Sequence, residues 1–309
     1  MRLGHLLAGS LRPRSGYGRH RAFRDPAVQH GLARHGYHVT PKVLDDEVIE
    51  RLCGAAARWR ALRTDAEDGA FFSSFSRRAD EAATYARAQV RDVLLPALEP
   101  LLDPGGARLR PSVFQLKPPS PTSHVQAHQD CFLVDERRSF GVFAWVALTD
   151  VGLDDGPLYV VPGSHRYGTW NRISSTTDQF AGLHDVIHRH ARALPVSAGQ
   201  VLLFDNAVIH GSIANRSGAD RLAVSAVVTP CDTDITIPAA VDGPRPASTP
   251  VYRHQHDDLV GADWPDISSG EPLGEARLPR LAVGPRGFAA VCRLDALLRP
   301  GAPGVPLPI

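Results

Sequence analysis

One short spacing in this chain sets two metal-binding side chains together. In Ala127-His128-Gln129-Asp130 an imidazole and a carboxylate are separated by a single residue. Successive side chains of an extended strand alternate faces, so residues i and i+2 share one. His128 and Asp130 would then aim at a common point. A second imidazole from another strand would complete a facial triad and leave three positions of an octahedral ion open to a cosubstrate, O2 or water. The HxD pattern alone is weakly specific, and the chain holds it twice, at His128–Asp130 and His256–Asp258. The second falls in an irregular stretch with no later histidine. The first lies in a β-prone run, HVQAHQDCF, and is followed by a β-flanked histidine, His210, in LLFDNAVIHGS.

Beyond His210 a turn-rich stretch leads to a β run that opens on Arg221. A hairpin-like return would bring Arg221 near His210. A buried guanidinium beside a metal needs an anion, and the far carboxylate of a dicarboxylic cosubstrate would suit its bidentate geometry. Ser212 shares a side with His210 in an extended chain and could add a hydroxyl donor.

Such groups must be held by a β framework, and the sequence from about Arg108 supplies one. PSVFQLKPP, HVQAHQDCF, GVFAWVALTDV, GPLYVVPGS, GQVLLFDNAVIHGS and RLAVSAVVTP are short β-prone runs separated by Gly, Pro, Asn and Asp. They predict a β-sandwich or barrel over about 108 to 232. Ahead of it, a strand is expected at Tyr37–Val39. A helix capped by Asp45 or Asp46 should follow, with Val48, Leu52, Ala55, Ala56, Trp59 and Leu62 on its buried side. A second helix is expected from about Asp80 to Leu95. Residues 1–30 read as a flexible Arg-rich leader, 31–232 as the functional domain, and 233–309 as a Pro- and Gly-rich extension wrapping the core, with one short helix near Leu294–Leu298.

Composition narrows the function classes. A formal net charge of +1 and Lys only at Lys42 and Lys117 give no basic stripe for nucleic acid. No apolar run of about 18 residues predicts a membrane span. Cys53, Cys131, Cys231 and Cys292 are scattered and form no CxxC pair, which fits a reducing cytoplasm. The partner expected is a small molecule.

Four stretches together resemble the phytanoyl-CoA dioxygenase family of 2-oxoglutarate oxygenases. They are HGYHVTPKVLDDEVIERL, HQD, WVALTDVGLDDGPLYVVPGSHR and HGSIANRSGADR, spanning about residues 32 to 228. The resemblance implies a mainly β fold with flanking helices around a double-stranded β-helix, the cupin-like jelly roll. It also implies that His128, Asp130 and His210 bind Fe(II) and that Arg221 binds 2-oxoglutarate with help from Ser212. Gln115 or Lys117 would contact the cosubstrate as well, and Trp145 would line the pocket. O2 and 2-oxoglutarate would be consumed to oxidise a substrate, with release of succinate and CO2. Halogenating relatives replace the carboxylate ligand with a small residue, so Asp130 disfavours halogenation and leaves hydroxylation, desaturation, ring closure or epimerisation.

Other polar groups read more plainly. His165 is expected in a structural loop, His124 in a polar loop, and His184, His188 and His190 on a surface or lid helix rather than in a zinc site. Asp205 and Asn206 could orient His210 or form a turn, and Asp154, Asp155 and Gly156 read as a turn. The Asp135–Arg138 patch is either a solvated loop or a lid at the barrel mouth. Trp170, Asn171 and Arg172 could face substrate. Two other functions use the same ligands: a cupin-like binding protein without turnover, and a zinc-dependent hydrolase.

Overall fold

The predicted cap and stripe meet in the helix Asp46–Leu62, where the Asp45 carboxylate accepts from the Val48 amide and Leu52, Ala55, Ala56 and Trp59 are buried. The computed structural model describes residues 16–63, 71–74, 80–136, 138–167, 172, 178, 180–239, 248–254, 270–277 and 284–307. Its main helices are α1 Pro26–His35, α2 Asp46–Leu62, α3 Glu81–Gln89, α4 His184–His190 and α5 Pro285–Leu298. α3 continues through a wider π turn at Val90–Leu94 and a last turn at Leu95–Leu98, so the second predicted helix holds its extent but not its regularity. The strands are β1 Tyr37–Lys42, β2 Phe72–Ser73, β3 Ala107–Lys117, β4 Val125–His128, β5 Val142–Ala147, β6 Leu158–Val160, β7 Arg192–Leu194, β8 Gln200–Asp205, β9 His210–Ser212, β10 Arg221–Pro230, β11 Ile235–Pro238, β12 Ser248–His254, β13 Glu271–Arg277 and β14 Val305–Pro306.

Two antiparallel sheets, ordered β1-β8-β5-β10-β3-β2 and β14-β7-β6-β9-β4, face each other as a jelly roll. Alternation along the strands builds the layers. Val142, Ala144 and Val146 of β5 join Leu52, Ala56 and Trp59 of α2 in one core. Trp145 and Ala147 of the same strand turn the other way and pack with Leu158 and Val160 of β6 and Leu202 and Phe204 of β8 between the sheets. On β6 the pattern reverses again: Tyr159 and Val161 pack outward against α4 and α5 through Ile187 and Phe288. A sheet buried on both faces needs apolar residues at both parities, as the run VFAWVA provides.

Described residues of both terminal regions form regular elements. Within the expected leader, Ala22 and Phe23 are fully buried, and α1 starts at Pro26 with the Asp25 carboxylate accepting from the Ala27 amide. Residue 30 lies within α1. In the expected loop-rich extension, β11, β12 and β13 form a third antiparallel sheet, β14 pairs with β7, and the short helix expected near 294 spans Pro285–Leu298. Pro250, Pro272 and Gly274 disguise β12 and β13, because strands disfavour both residue types. No described helix is long and apolar enough to cross a membrane.

A buried ion pair ties α5 to the GPLYVVPGSHR segment. The Arg166 guanidinium meets the Asp295 carboxylate at 2.5 Å, and Asp295 also accepts from Arg299 at 2.6 Å. Arg166 donates to the carbonyls of Ala33 and Arg34 at the end of α1, and His165 lies beside the Ala33 carbonyl. His165 is 1% exposed and structural, as its loop position predicted.

Candidate metal centre

β9 lies between β6 and β4, with His210 opposite both Val160 and His128. Because Val160 belongs to the layer between the sheets, His210 points inward, where its ring lies 4.7 Å from that of Phe204 and 4.2 Å from that of His128. Asp130 is not in the strand itself. β4 ends at His128, and the chain continues with the Asp130 amide donating to the Asn206 carbonyl at 3.0 Å. The Asp130 carboxylate nevertheless faces both rings, 3.8 Å from His128 Nε2 and 3.7 Å from His210 Nε2. One ligand atom from each of the three residues lies within 4.8 Å of the others, and no other such group occurs among the described residues.

The two imidazoles are held in the same way. His128 Nδ1 lies 2.9 Å from the Gln126 carbonyl, and His210 Nδ1 lies 3.1 Å from the Val208 carbonyl. A protonated Nδ1 donating to a carbonyl leaves the Nε2 lone pair directed at Asp130, the arrangement that prepares a metal ligand. Burial, and then the neighbouring His128, push the His210 pKa down to about 4, so its ring is neutral at ordinary pH. The Asp205 carboxylate serves the turn rather than His210, accepting from Tyr17 Oη and the Ala207 amide.

Asp130 is fixed by a pair that the sequence did not join. Arg172 Nε donates to the Asp130 carbonyl at 2.6 Å, while its two terminal nitrogens grip the Glu136 carboxylate at 2.7 and 2.5 Å. Both side chains are buried, so this part of the Asp135–Arg138 patch is neither a solvated loop nor an open lid. Trp170, Asn171, Arg137 and the His256–Asp258 pair lie outside the described residues. Exchanging the clamp for a neutral one, Arg172→Gln with Glu136→Gln, is expected to weaken metal binding roughly 10-fold. Calorimetric titration with Mn(II) reads that effect; a purely structural role would lower Tm and leave the affinity unchanged.

Two basic side chains line the same interior. Lys117 and Arg221 are opposite partners on β3 and β10, and they are 0% and 1% exposed. Lys117 Nζ donates to Ser212 Oγ at 2.5 Å and to the Ile213 carbonyl at 2.7 Å. Arg221 donates to the Gly156 carbonyl at 2.8 Å and lies 5.3 Å from the Trp145 ring. Its buried Nε has no hydrogen-bond partner among the described residues, and no described carboxylate pairs with Arg221 or Lys117. Burial lowers the Arg221 pKa to about 9. Burial and then the Arg221 charge lower that of Lys117 to about 6. Gly156, at φ 72°, turns the chain where a Cβ would lie 2.7 Å from Lys117 Cδ, so the expected turn also makes room for this lysine. Gln115 is engaged by Trp145, whose indole nitrogen donates to Gln115 Oε1 at 3.0 Å.

One expected connection differs. β9 and β10 are not a hairpin: they belong to opposite sheets, and Arg221 reaches the β9 side through Lys117 and Ser212. Asn215 shapes the crossing, its amide donating to the carbonyls of Lys117 and Ala219. Elsewhere, His184 pairs with Asp178 at 2.7 Å, His188 lies 3.4 Å from Tyr159 Oη, and His124 is exposed.

A jelly roll in which two histidines and a carboxylate converge, with buried Lys117 and Arg221 in the same interior, defines the candidate site. The chain belongs to the phytanoyl-CoA dioxygenase (PhyH) family, whose model matches residues 32–223. It is 33% identical over 118 residues to phytanoyl-CoA dioxygenase domain-containing protein 1 of Danio rerio, covering 36% of this chain and 40% of that protein. It is 35% identical over 137 residues to the ectoine dioxygenase of Halomonas elongata, covering 40% of each. The chain thus matches less than half the length of these curated relatives. Among solved structures, it resembles the epimerase SnoN in complex with Fe3+, alpha ketoglutarate and nogalamycin RO. That likeness has a TM-score of 0.52 and 22% identity, and covers 82% of this chain and 99% of that one.

Proposed function

We propose that this chain is an Fe(II)- and 2-oxoglutarate-dependent oxygenase that hydroxylates an unactivated C–H bond of a small molecule. The carrying observation is the pairing of two sites in one interior. Three donors converge on a point, and two buried basic side chains without a described carboxylate partner lie nearby: Lys117 donates to Ser212, two residues along β9 from His210, and Arg221 is its partner across the sheet. Two strand residues span roughly 7 Å, a separation suited to a short dicarboxylate with one end at the metal and the other at the cations. Family membership and the relatives named dioxygenases support the same reading.

The donors fit iron: two neutral imidazoles and a carboxylate on one face are the set used by non-haem Fe(II) oxygenases. In this reading His128, Asp130 and His210 hold Fe(II). Arg221 and Lys117 take the distal carboxylate of 2-oxoglutarate, Ser212 holds Lys117 in place, and Trp145 and Gln115 wall the pocket. Iron, 2-oxoglutarate and O2 together supply an oxidant able to attack unreactive C–H bonds, with release of succinate and CO2. The chain's own contribution is orientation and dryness. The Nδ1 bonds fix both rings, and Phe204 and Trp145 keep water from the inner wall. Asp130 fills the ligand position that halogenating relatives leave for chloride, which disfavours halogenation and leaves desaturation, ring closure and epimerisation beside hydroxylation. A zinc hydrolase with the same ligands would give Lys117 and Arg221 no task, and a binding protein without turnover would not need three open metal positions.

The test is anaerobic addition of Fe(II) and 2-oxoglutarate to the full chain. A visible metal-to-ligand charge-transfer band is expected. Folded, metal-loaded protein without the band overturns the reading.

Lys117 gives the binding a pH dependence. Free, it is mostly neutral above about pH 6; an adjacent carboxylate raises its pKa, so the complex holds one more proton in that range. The affinity for 2-oxoglutarate should therefore fall as pH rises from 6 to 8, by at most 10-fold per unit, as proton uptake requires. Titrating the charge-transfer band across that range checks it, and Lys117→Met should flatten the dependence.

A further inference from the structure

The inner face of the six-stranded sheet carries a third buried cation that the cosubstrate does not explain. Arg110 of β3 is directly opposite Val227 of β10; Val227 is opposite Phe143 of β5, and Phe143 is opposite Phe204 of β8. Directly opposed residues of antiparallel strands share a face, and Phe204 packs on the His210 ring. Arg110 therefore projects into the hollow that holds the metal triad. Val224, Ala226 and Val228, at the other parity of β10, join the helix-side core, which agrees with this assignment.

The rungs of this face are ordered. Lys117 and Arg221 form one end, Gln115 and Ala223 the next rung, and Arg110 with Val227 a later one. The last rung of this face pairs Thr229, which is fully buried, with Arg108, which is exposed. Six residues of β10 separate Arg221 from Val227, roughly 20 Å of strand. A five-carbon diacid held at Lys117 and Arg221 does not extend to Arg110.

Arg110 is 6% exposed. Its Nη1 donates to Thr229 Oγ1 at 2.8 Å, while its buried Nε has no partner and no carboxylate faces it among the described residues. Burial lowers its pKa only to about 10, so it stays charged at neutral pH. A buried guanidinium answered by one hydroxyl is costly. An anion on the Nε edge would offset that cost with two parallel charge-assisted bonds.

We propose that Arg110 is a specificity residue that binds an anionic group, a carboxylate or a phosphate ester, on the primary substrate, further along the inner face from Lys117 and Arg221. The proposal rests on the oxygenase reading for the meaning of "substrate", but its anion site is tested separately.

The experiment uses the full chain, Arg110→Met and Arg110→Lys, each loaded anaerobically with Fe(II) and saturating 2-oxoglutarate so that Lys117 and Arg221 are occupied. The charge-transfer band is expected to be equal in all three proteins. Inorganic phosphate, hexanoate and hexanol are then titrated and Tm is recorded. A saturable rise in Tm with phosphate or hexanoate is expected for the natural chain. Its midpoint should increase at least 10-fold in Arg110→Met and at least 3-fold in Arg110→Lys, with hexanol acting alike on all three. Phosphate active alone identifies a phosphate ester, and hexanoate active alone identifies a carboxylate. The proposal fails if neither anion gives a saturable shift in the natural chain, or if the variants keep its midpoint. If Arg110→Met does not fold, the Arg110→Lys midpoint decides. Loss of the band in all three proteins would instead overturn the oxygenase reading, and the Tm series would still decide for or against an anion site at Arg110.

Discussion

Replacing His210 with alanine is expected to abolish the anaerobic charge-transfer band and lower metal affinity by more than about 100-fold. Loss of a group that merely orients a ligand costs 10- to 100-fold, and here a donor itself is removed. His210 is the more consequential of the two histidines. It is central in its sheet, opposite both His128 and Val160, and its side chain is 6% exposed against 35% for His128. Alanine also leaves a gap against Phe204, so His210→Gln, which keeps most of the volume, is the companion variant. Both should lose the band, while circular dichroism reports a folded chain. Consumption of 2-oxoglutarate at the full rate by either variant would disprove the ligand assignment.

The second large effect concerns stability. Asp295→Ala is expected to destabilise the protein by roughly 3–5 kcal/mol, because it strands the buried Arg166 guanidinium. The Arg166 and Asp295 side chains are 3% and 5% exposed, so water cannot replace the lost partner. Replacing both members with apolar residues, Arg166→Met with Asp295→Leu, should recover much of the loss, since a well-packed apolar pair can match a buried ion pair. Urea denaturation of the single and double variants measures both. Equal destabilisation by the two would show that packing of α5, not the stranded charge, sets the effect.

The legible part of this protein was its local part. Asp45 and the Leu52–Ala56–Trp59 stripe specify α2 within one stretch of chain, and VFAWVA announces a strand buried on both sides. The triad residues were legible because HxD is two residues apart and His210 sits among β-formers. Arg172 and Glu136, or Arg166 and Asp295, carry no such mark: they are 36 and 129 residues apart and meet only through the fold. The change of sheet between β9 and β10 was hidden for a related reason. A short polar turn between two β runs has the appearance of a hairpin, and only the packing partners of each run distinguish a crossing from a return. Arg110 was equally silent, since its meaning depends on which face of β3 it takes across the register irregularity near Ser225.

Among the described strands β4 is at the edge of its sheet, hydrogen-bonded only to β9. An ion shared by His128, Asp130 and His210 would therefore clasp a free border of the sheet to its neighbour. In the metal-free protein that border can fray, and its unpaired backbone becomes a template for another chain. Loading with metal should slow amide exchange at Val125–His128 and suppress self-association together, so the three side chains proposed to hold iron would also guard the protein's solubility.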